Sequence, residues 1–288
     1  MYKLNENNSF EINNYQEQSP FASFLPGIAG VDGIPMWVFY VNRGQGIASF
    51  GVQDKNHAMM EFLPADKSYQ HVSIQGFRTF VKLKETDGST HFTEPFSPMT
   101  SAQTHVQEKM TISENLLELE FIDSNLQLKL NVTYFTLPNA AVGGLVRQVS
   151  LTNLSDQNRE IELIDGLPSL FPSGVPNAAY KELGNTIKSW FDVKNIEQHI
   201  PFYQLRGSIE DTSEVKEIHQ GNFYASFYRD SKKNESLVKP IIDRDIIFGT
   251  YTSLHVPRAF MKNSLHTLVE QPQQTTNKVS AGFSWASD

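Results

Sequence analysis

The sequence contains no cysteine among its 288 residues. This absence excludes disulfide bonds, a thiolate nucleophile and any zinc site with cysteine ligands. Basic residues are also scarcer than acidic ones, 24 against 32, and the formal net charge is -8. An acidic chain has no general electrostatic attraction to nucleic acid or to an anionic membrane surface. We therefore expect neither of these among its partners.

Long apolar runs and a targeting signal are missing as well. No apolar stretch approaches the ~18 residues that a membrane-spanning helix needs. The chain begins MYKLNENNSFEINNYQEQSP, which is polar and rich in asparagine. A secretion signal would instead place an apolar core after a basic start. The predicted location is therefore the cytoplasm, and residues 1–19 are predicted to be a polar segment ahead of the folded domain.

Alternation of apolar and polar residues is the clearest pattern that is present. Leu117, Leu119 and Phe121 alternate with glutamates, and the same period of two runs from Leu126 to Tyr134. This period is typical of a half-buried strand. The intervening Asp123-Ser124-Asn125 has turn chemistry. The two segments therefore predict a β-hairpin.

Similar patterns predict more strands along the chain. A second hairpin is predicted in VRQVSLTNLSDQNREIELIDG, and further strands over residues 72–83, 222–228, 246–254 and 278–285. One segment differs, because Ala179, Leu183, Ile187 and Trp190 recur at helical spacing and predict one short helix near residues 177–192. Many short strands separated by polar turns predict an all-β fold, a large antiparallel sandwich formed by residues 20–288 as a single domain.

A glycine-rich corner, Asn42-Arg43-Gly44-Gln45-Gly46, interrupts two apolar runs. It is not a dinucleotide fingerprint, because Ser49 replaces the third glycine and a strand rather than a helix follows. We interpret it as a β-turn whose glycines permit positive φ. Asn42, Arg43 and Gln45 are predicted to face outward at this tip and are candidate substrate-binding residues. Arg43 can donate paired hydrogen bonds to a ligand, or can hold its own loop.

Catalytic and metal-binding patterns do not emerge from the spacing. The eight histidines are scattered, with no H-E-x-x-H or H-x-H pair. Asp243 and Asp245 are best explained as part of a polar turn, and Glu118 and Glu120 as the wet face of a strand. No catalytic residue, cofactor or metal ligand is therefore assigned. Tyr203, in a predicted loop at residues 200–204, is a candidate for stacking on a sugar.

Two stretches resemble family 94 glycoside phosphorylases. They are FLPGIAGVDGIPMWVFYVNRGQGIASFGVQDKNHAMMEFLPADKSYQ, residues 24–70, and VRQVSLTNLSDQNREIELIDGLPSLFPSG, residues 146–174. The similarity spans about residues 20–288 and is greatest to the 1,2-β-oligoglucan phosphorylase branch, the cellobiose-phosphorylase-like group. The first stretch is the more specific, because many sandwiches of sugar enzymes contain a strand-turn-strand like the second.

The resemblance implies a fold and a reaction. The family's N-terminal region is a galactose-mutarotase-like super-sandwich, and an (α/α)6 barrel behind it carries the general acid and the phosphate site. The full enzyme cleaves β-1,2-oligoglucan with inversion, using inorganic phosphate as co-substrate and releasing α-glucose 1-phosphate. The sandwich supports a homodimer and borders the active site. The present chain ends before a barrel, so we expect a non-catalytic fragment of a longer protein, inactive alone.

Two alternatives remain open. The chain could be a stand-alone carbohydrate-binding sandwich, which predicts a groove lined by exposed aromatic side chains. It could also be an enzyme of the aldose-epimerase type, which shares this architecture. Such an enzyme needs a histidine and a carboxylate together in a cleft to move a proton on the sugar. The sequence does not identify that pair.

Overall fold

The structure, a computed structural model, describes residues 2–25, 28–29, 31, 33–85, 87–209, 213, 217–230 and 232–287. Strands dominate these ranges and pair in antiparallel sheets, while the helices are few and mostly short. The all-β class predicted from the sequence is therefore confirmed, with an antiparallel sandwich at its centre.

The strands, in chain order, are β1 Tyr2–Leu4, β2 Phe10–Asn13, β3 Ala22–Leu25, β4 Ile28–Ala29, β5 Ile34–Val41, β6 Ile47–Val52, β7 Ala58–Met60, β8 Arg78–Lys84, β9 Thr90–Thr93, β10 Val106–Ile112, β11 Leu117–Asp123, β12 Leu128–Thr136, β13 Leu145–Asn153, β14 Glu160–Leu170, β15 Phe191–Lys194, β16 Phe202–Leu205, β17 Gly221–Phe223, β18 Phe227–Arg229, β19 Glu235–Leu237 and β20 Ser280–Ser287. The α-helices are α1 Ala65–Gln75, α2 Pro98–Ser101, α3 Asn177–Leu183, α4 Asn185–Lys188, α5 Asp245–Phe248, α6 Arg258–Lys262 and α7 Leu265–Val269.

Three sheets carry most of the architecture. A six-stranded sheet has the order β1-β2-β10-β11-β12-β13, and a four-stranded sheet has the order β20-β14-β8-β9. A five-stranded sheet has the order β3-β5-β6-β7, with β4 also paired to β5. The main core lies between the six-stranded and five-stranded sheets, where Leu119 and Val132 of one sheet belong to the same buried cluster as Val38 and Ile47 of the other. Smaller sheets, β15-β16-β17 and β18-β19, complete the strands.

The first predicted hairpin is confirmed. Strands β11 and β12 pair antiparallel, with Leu119 opposite Val132. Buried residues, mainly apolar, alternate along both strands with more exposed ones that are mainly polar, as the period of two requires. The Asp123 carboxylate accepts hydrogen bonds from the backbone N–H groups of Asn125 and Leu126, at 3.0 and 2.9 Å, and so stabilises the turn.

The second predicted hairpin is wrong. Strand β13 pairs with β12 in the six-stranded sheet, whereas β14 pairs with β8 and β20 in the four-stranded sheet. The polar segment after β13 therefore carries the chain from one layer to another instead of turning it back within a sheet. Alternation shows that a segment is a strand with one buried face, but it does not show which strand is its neighbour.

Three other strand predictions need correction. Residues 72–75 close the helix α1, and the strand β8 begins only at Arg78. Residues 222–228 divide between β17 and β18, which belong to different sheets. The apolar run Ile246-Ile247-Phe248 is the short helix α5, fully enclosed in a core cluster. A short apolar run buried on all sides fits a strand or a helix equally well, so periodicity does not distinguish them.

The predicted helix near residues 177–192 is present but broken. Helix α3 ends at Leu183 and α4 begins at Asn185, because Gly184 between them takes a positive φ of 50°. Residues from Phe191 onward already form β15. Glycine adopts this backbone conformation readily and commonly ends helices.

The ends of the described chain are integrated into the fold. The polar N-terminal segment supplies β1 and β2, and β2 pairs with β10 at Met110 and Ile12. Tyr15, from the same segment, is fully buried. The predicted strand over residues 278–285 is confirmed as β20. Among the residues that the structure describes, no helix is long and apolar enough to cross a membrane.

Candidate functional site: a charged cleft beside helix α1

A charged cleft lies where helix α1 meets the end of β14 and the helices α3 and α4. Its volume is about 130 Å³, roughly ten times the minimum that one water molecule needs. Eight polar side chains line it: Glu61, Ser68, His71, Gln75, Ser169, Tyr180, Lys188 and Arg244. A concave site with a few converging polar groups is the usual location of a small-molecule site, so this cleft is the candidate functional site.

The polar residues of the cleft come from different elements. Helix α1 presents Ser68, His71 and Gln75 to it, because residues three and four apart share one face of a helix. The other members lie at or near element ends: Glu61 after β7, Ser169 near the end of β14, Tyr180 in α3, Lys188 at the end of α4 and Arg244 before α5. The cleft is therefore assembled by the tertiary fold and not by any local motif.

One wall of the cleft carries an acid. Partial burial raises the pKa of Glu61 above its usual value, although Lys181 and His71 oppose the shift through their charges. Burial, with the Glu61 charge as a second cause, raises the pKa of Tyr180 to about 12. Within the described ranges, the Glu61 carboxylate makes no hydrogen bond or ion pair, so it is open to a ligand. The raised pKa makes Glu61 better suited to donate a proton near neutral pH than an exposed glutamate.

Another part of the cleft lining carries two cations, Lys188 and Arg244, which we call the cation wall. Burial lowers the pKa of Lys188, and the positive charge of Arg244 lowers it further. The Lys188 ammonium donates a hydrogen bond to the Asn185 side-chain oxygen at 2.8 Å. The Arg244 guanidinium donates a long bond of 3.4 Å to the Ser169 hydroxyl. In the part of the chain that the structure describes, neither cation forms an ion pair with a carboxylate.

The acids that flank Arg244 in sequence bind another lysine. The Lys278 ammonium forms an ion pair with Asp243 and a second one, 2.9 Å long, with Asp245. Asp243 also accepts the backbone N–H of Gln274 at 3.0 Å. This arrangement agrees with the interpretation of these acids as structural, and it leaves the Arg244 charge unneutralised by its neighbours.

Gln45 belongs to a different group of residues, which we call the closed cluster: Gln45, Thr79, Tyr134, Arg147 and Asp165. Arg147 donates two hydrogen bonds to the Asp165 carboxylate, at 2.6 and 2.9 Å, and further bonds to Tyr134 and Gln45. Thr79 donates to Asp165 at 2.6 Å and accepts from Gln45 at 3.1 Å. Burial opposes the Arg147 charge, but Asp165 outweighs it and raises the pKa of Arg147.

The polar tip between β5 and β6 is folded inward. The Asn42 side chain is fully buried, donates to the backbone oxygens of Tyr15 and Ser19, and accepts the N–H of Phe21. Gln45 is only 3% exposed. The prediction that these side chains face outward is therefore wrong, because the N-terminal segment covers the tip. Asn42 and Gln45 present almost no accessible surface to a ligand. Their substrate-binding role stays a prediction.

Arg43 holds its own loop, as one of the two interpretations proposed. Its guanidinium donates to the backbone oxygens of Asn42 at 2.7 Å and Gln18 at 3.0 Å. The two glycines of the tip confirm the predicted turn, with φ of +51° at Gly44 and +82° at Gly46. At Gly44 a β-carbon would also lie 3.1 Å from the backbone of Ser73 in α1. A ligand role for the remaining donors of Arg43 stays a prediction.

Tyr203 lies in strand β16, not in a loop. Its ring is 1% exposed, and its hydroxyl donates to the Ala281 backbone oxygen at 2.6 Å. A ring in this position has no free face for a sugar, so its proposed stacking role has no support in the geometry. The prediction that Tyr203 lies in a loop is therefore wrong.

The cleft residues were not singled out as a site by the sequence. Glu61 lies within the first stretch that resembles the phosphorylases, and Ser169 within the second. Lys188 was predicted to lie on the polar side of a helix, and Arg244 within a polar turn. Within the described ranges, no three histidine, aspartate or glutamate side chains come together as a metal site.

Fold and cleft together define the class of protein as an antiparallel β-sandwich with a mixed-charge cleft at the edge of its sheets. No known protein-family profile matches the chain, and no curated protein matches it.

Proposed function

We propose that this chain is the N-terminal sandwich region of a β-glucan phosphorylase. In that protein a barrel outside the present sequence carries out inverting phosphorolysis of β-1,2-oligoglucan with inorganic phosphate. The sandwich itself is non-catalytic, supports a homodimer and borders the active site. It works in the cytoplasm on a carbohydrate substrate.

The observation that carries this proposal is the meeting of the two resembling stretches. The first, residues 24–70, and the second, residues 146–174, are far apart in sequence. In the fold they join through the Arg147–Gln45 hydrogen bond and through the Phe171 N–H, which donates to the Met59 oxygen at 2.9 Å. Both stretches also line the cleft, with Glu61 from one and Ser169 from the other. The two resembling stretches are far apart in sequence but contact each other in the fold, and this supports a common family origin for both.

A phosphorolysis assay in two arms tests the proposal. The 288-residue chain, incubated with β-1,2-linked glucooligosaccharides and phosphate, should release no α-glucose 1-phosphate. The product of the complete gene should release it, and Arg43→Ala in that product should leave the Michaelis constant and turnover unchanged if Arg43 only holds its loop. Activity of the chain alone, or inactivity of the complete product on β-glucans, contradicts the proposal. Tight glucan binding by the chain alone would instead favour a stand-alone binding module.

A second candidate function, aldose epimerisation, is favoured by one specific observation. Glu61 and His71 line the same cleft, and the charge of His71 acts on the Glu61 carboxylate. A carboxyl group and an imidazole facing one sugar ring can donate a proton to the ring oxygen and remove one from the anomeric hydroxyl. This is the pair that the sequence could not identify.

Polarimetry distinguishes this candidate from the first. Freshly dissolved α-glucose should approach its anomeric equilibrium faster with the chain than without it if the cleft is an epimerase site. Glu61→Gln and His71→Asn should each reduce that acceleration by about 100-fold or more, the usual size of an acid–base contribution. The matched control is Glu182→Gln, an exposed acid on α3. No acceleration by the wild-type chain removes this candidate and leaves the sandwich proposal untouched.

A further inference from the structure

The cation wall of the cleft has a feature that neither proposed function uses. Lys188 and Arg244 approach closely enough for the charge of one to lower the pKa of the other. Like charges held together in a partly buried site repel each other, and this costs folding free energy. A protein surface can avoid that cost by separating the two side chains or by supplying a carboxylate.

No carboxylate is supplied here by the described residues. Asp243 and Asp245, the acids nearest to Arg244 in sequence, are both held by Lys278. Glu61 lines the cleft but forms no ion pair with either cation. Among the described residues, the Arg244 guanidinium makes one side-chain hydrogen bond, the 3.4 Å contact with the Ser169 hydroxyl, so most of its donors are available.

Hydroxyl donors stand beside the two cations. Ser169 and Tyr180 both line the cleft, and the Tyr180 ring is fixed against Phe171 with the ring centroids 4.3 Å apart. The charge of Arg244 reaches the Tyr180 hydroxyl and counteracts the rise in its pKa. Arginine, lysine and hydroxyl groups around one small cavity are the donors that bind tetrahedral or planar oxyanions.

We propose that the cleft binds a phosphate-class oxyanion through Arg244 and Lys188, with the hydroxyls of Ser169 and Tyr180 as additional donors. The bound oxyanion neutralises both cations and accepts hydrogen bonds from the free N–H groups of Arg244. Glu61 and His71 line the same cleft, where they can contact whatever the oxyanion is attached to. The ligand is therefore inorganic phosphate or the phosphate group of a small hydroxylated molecule such as a hexose phosphate. The inference does not depend on the phosphorylase proposal, because it concerns a site formed within this chain.

Isothermal titration calorimetry on the full chain tests the inference and distinguishes the two ligand sources. The probes are inorganic phosphate, glucose 6-phosphate and glucose. We expect saturable binding of the two phosphate probes and none of glucose at the same concentrations. Tighter binding of glucose 6-phosphate than of phosphate assigns the site to a phosphorylated sugar, and equal binding assigns it to the free ion.

The variant Lys188→Gln/Arg244→Gln should weaken phosphate binding by at least about tenfold, a change of about 1.4 kcal/mol. The matched control, Lys67→Gln/Lys262→Gln, removes two exposed charges that do not line the cleft and should leave binding within about twofold, well inside one decade of affinity. Circular dichroism checks the fold of both variants, and Lys188→Gln alone provides a milder change if the double variant unfolds. Absence of saturable phosphate binding by the wild-type chain overturns the inference. Equal affinity in the wild-type and cleft variants, or an equal loss in the control, also overturns it.

Discussion

Two groups of charged residues show how the same residue type has opposite roles in this molecule. In the closed cluster, Arg147 is matched by the Asp165 carboxylate and by three neutral acceptors, on Tyr134, Gln45 and Thr79. In the cleft, Arg244 has one long bond to a hydroxyl and a second cation beside it. The closed cluster links β13 of the six-stranded sheet to β14 of the four-stranded sheet, so it stabilises the layers. The cleft leaves its charges available, which is what a binding site requires.

Substitutions in the closed cluster should cause the largest loss of stability in this comparison. Arg147→Met leaves the Asp165 carboxylate buried with its charge uncompensated, and we expect a loss of about 3–5 kcal/mol in the free energy of unfolding. Chemical denaturation of wild type and variant measures this loss. The control is Arg147→Met/Asp165→Leu, which removes both charges and should recover most of the stability. A loss below about 1 kcal/mol in the single variant would show that the pairing does not hold the layers.

Substitution of Asn42 tests whether the buried tip between β5 and β6 stabilises the fold as the closed cluster does. Asn42→Ala leaves backbone groups of Tyr15, Ser19 and Phe21 without this partner, the Tyr15 oxygen being fully buried and the other two partly so. We expect a loss of about 2 kcal/mol in unfolding free energy, since each unsatisfied buried group costs about 1–3 kcal/mol and relaxation recovers part. Denaturant titration measures it, with the exposed Asn125→Ala as control. A variant as stable as the wild type would indicate that the tip is not a structural element.

Glu61 makes the cleft sensitive to pH in a direction that can be worked out. Its folded-state pKa lies above the ordinary 4.5, so the folded chain binds this proton more tightly than the unfolded chain. Stability from this group is therefore highest below pH 4.5 and falls as pH rises toward the raised pKa. Because Glu61 is only half-buried, the effect should stay below about 1 kcal/mol.

The measurement is the difference in unfolding free energy between Glu61→Gln and wild type across this pH range. The variant should gain stability relative to the wild type as pH rises. The buried Glu94 and Glu108, whose pKa values are also raised, are present in both proteins and cancel in the difference. A relative gain that appears as pH falls would contradict the assigned direction.

Substitution of Arg244 should change the free energy of unfolding least, in contrast to substitution of Arg147. Arg244→Gln removes a charge with no carboxylate partner among the described residues and relieves repulsion on Lys188. We expect the free energy of unfolding to change by no more than about 0.5 kcal/mol, in either direction. Thermal denaturation without phosphate measures this change. A loss comparable to that of Arg147→Met would show that Arg244 is a structural residue and would remove the contrast between the two groups.

Several elements of the fold could be predicted from sequence because their signal is local. The β11–β12 hairpin has an unbroken period of two and a turn closed by Asp123, so both strands and their pairing were correct. The turn at Gly44 and Gly46 could be predicted for the same reason, since a positive φ depends on a few adjacent residues. The β13–β14 pairing was wrong because the choice of neighbouring strand depends on distant parts of the chain.

The candidate site was the least predictable part. Tyr203 and Gln45 looked like free polar or aromatic side chains, yet both are almost completely buried by segments distant in sequence. The cleft residues Glu61, Lys188 and Arg244 belong to no motif and are far apart in the sequence. Side chains that meet only after folding leave no periodic or spaced pattern.

The sequence by itself determined an all-β sandwich without cysteine chemistry, because apolar and polar residues alternate along strands such as β11 and β12 and composition is independent of the fold. Tertiary structure alone decided which arginine is neutralised and which is available. In the sequence Arg147 has no acidic neighbour, whereas Arg244 stands between Asp243 and Asp245, so the sequence suggests the opposite assignment. Only the packing of β14 against β8 and β20 places Asp165 beside the first, while Lys278 takes the acids beside the second. Charge pairing acts over a few ångströms, and folding sets those distances.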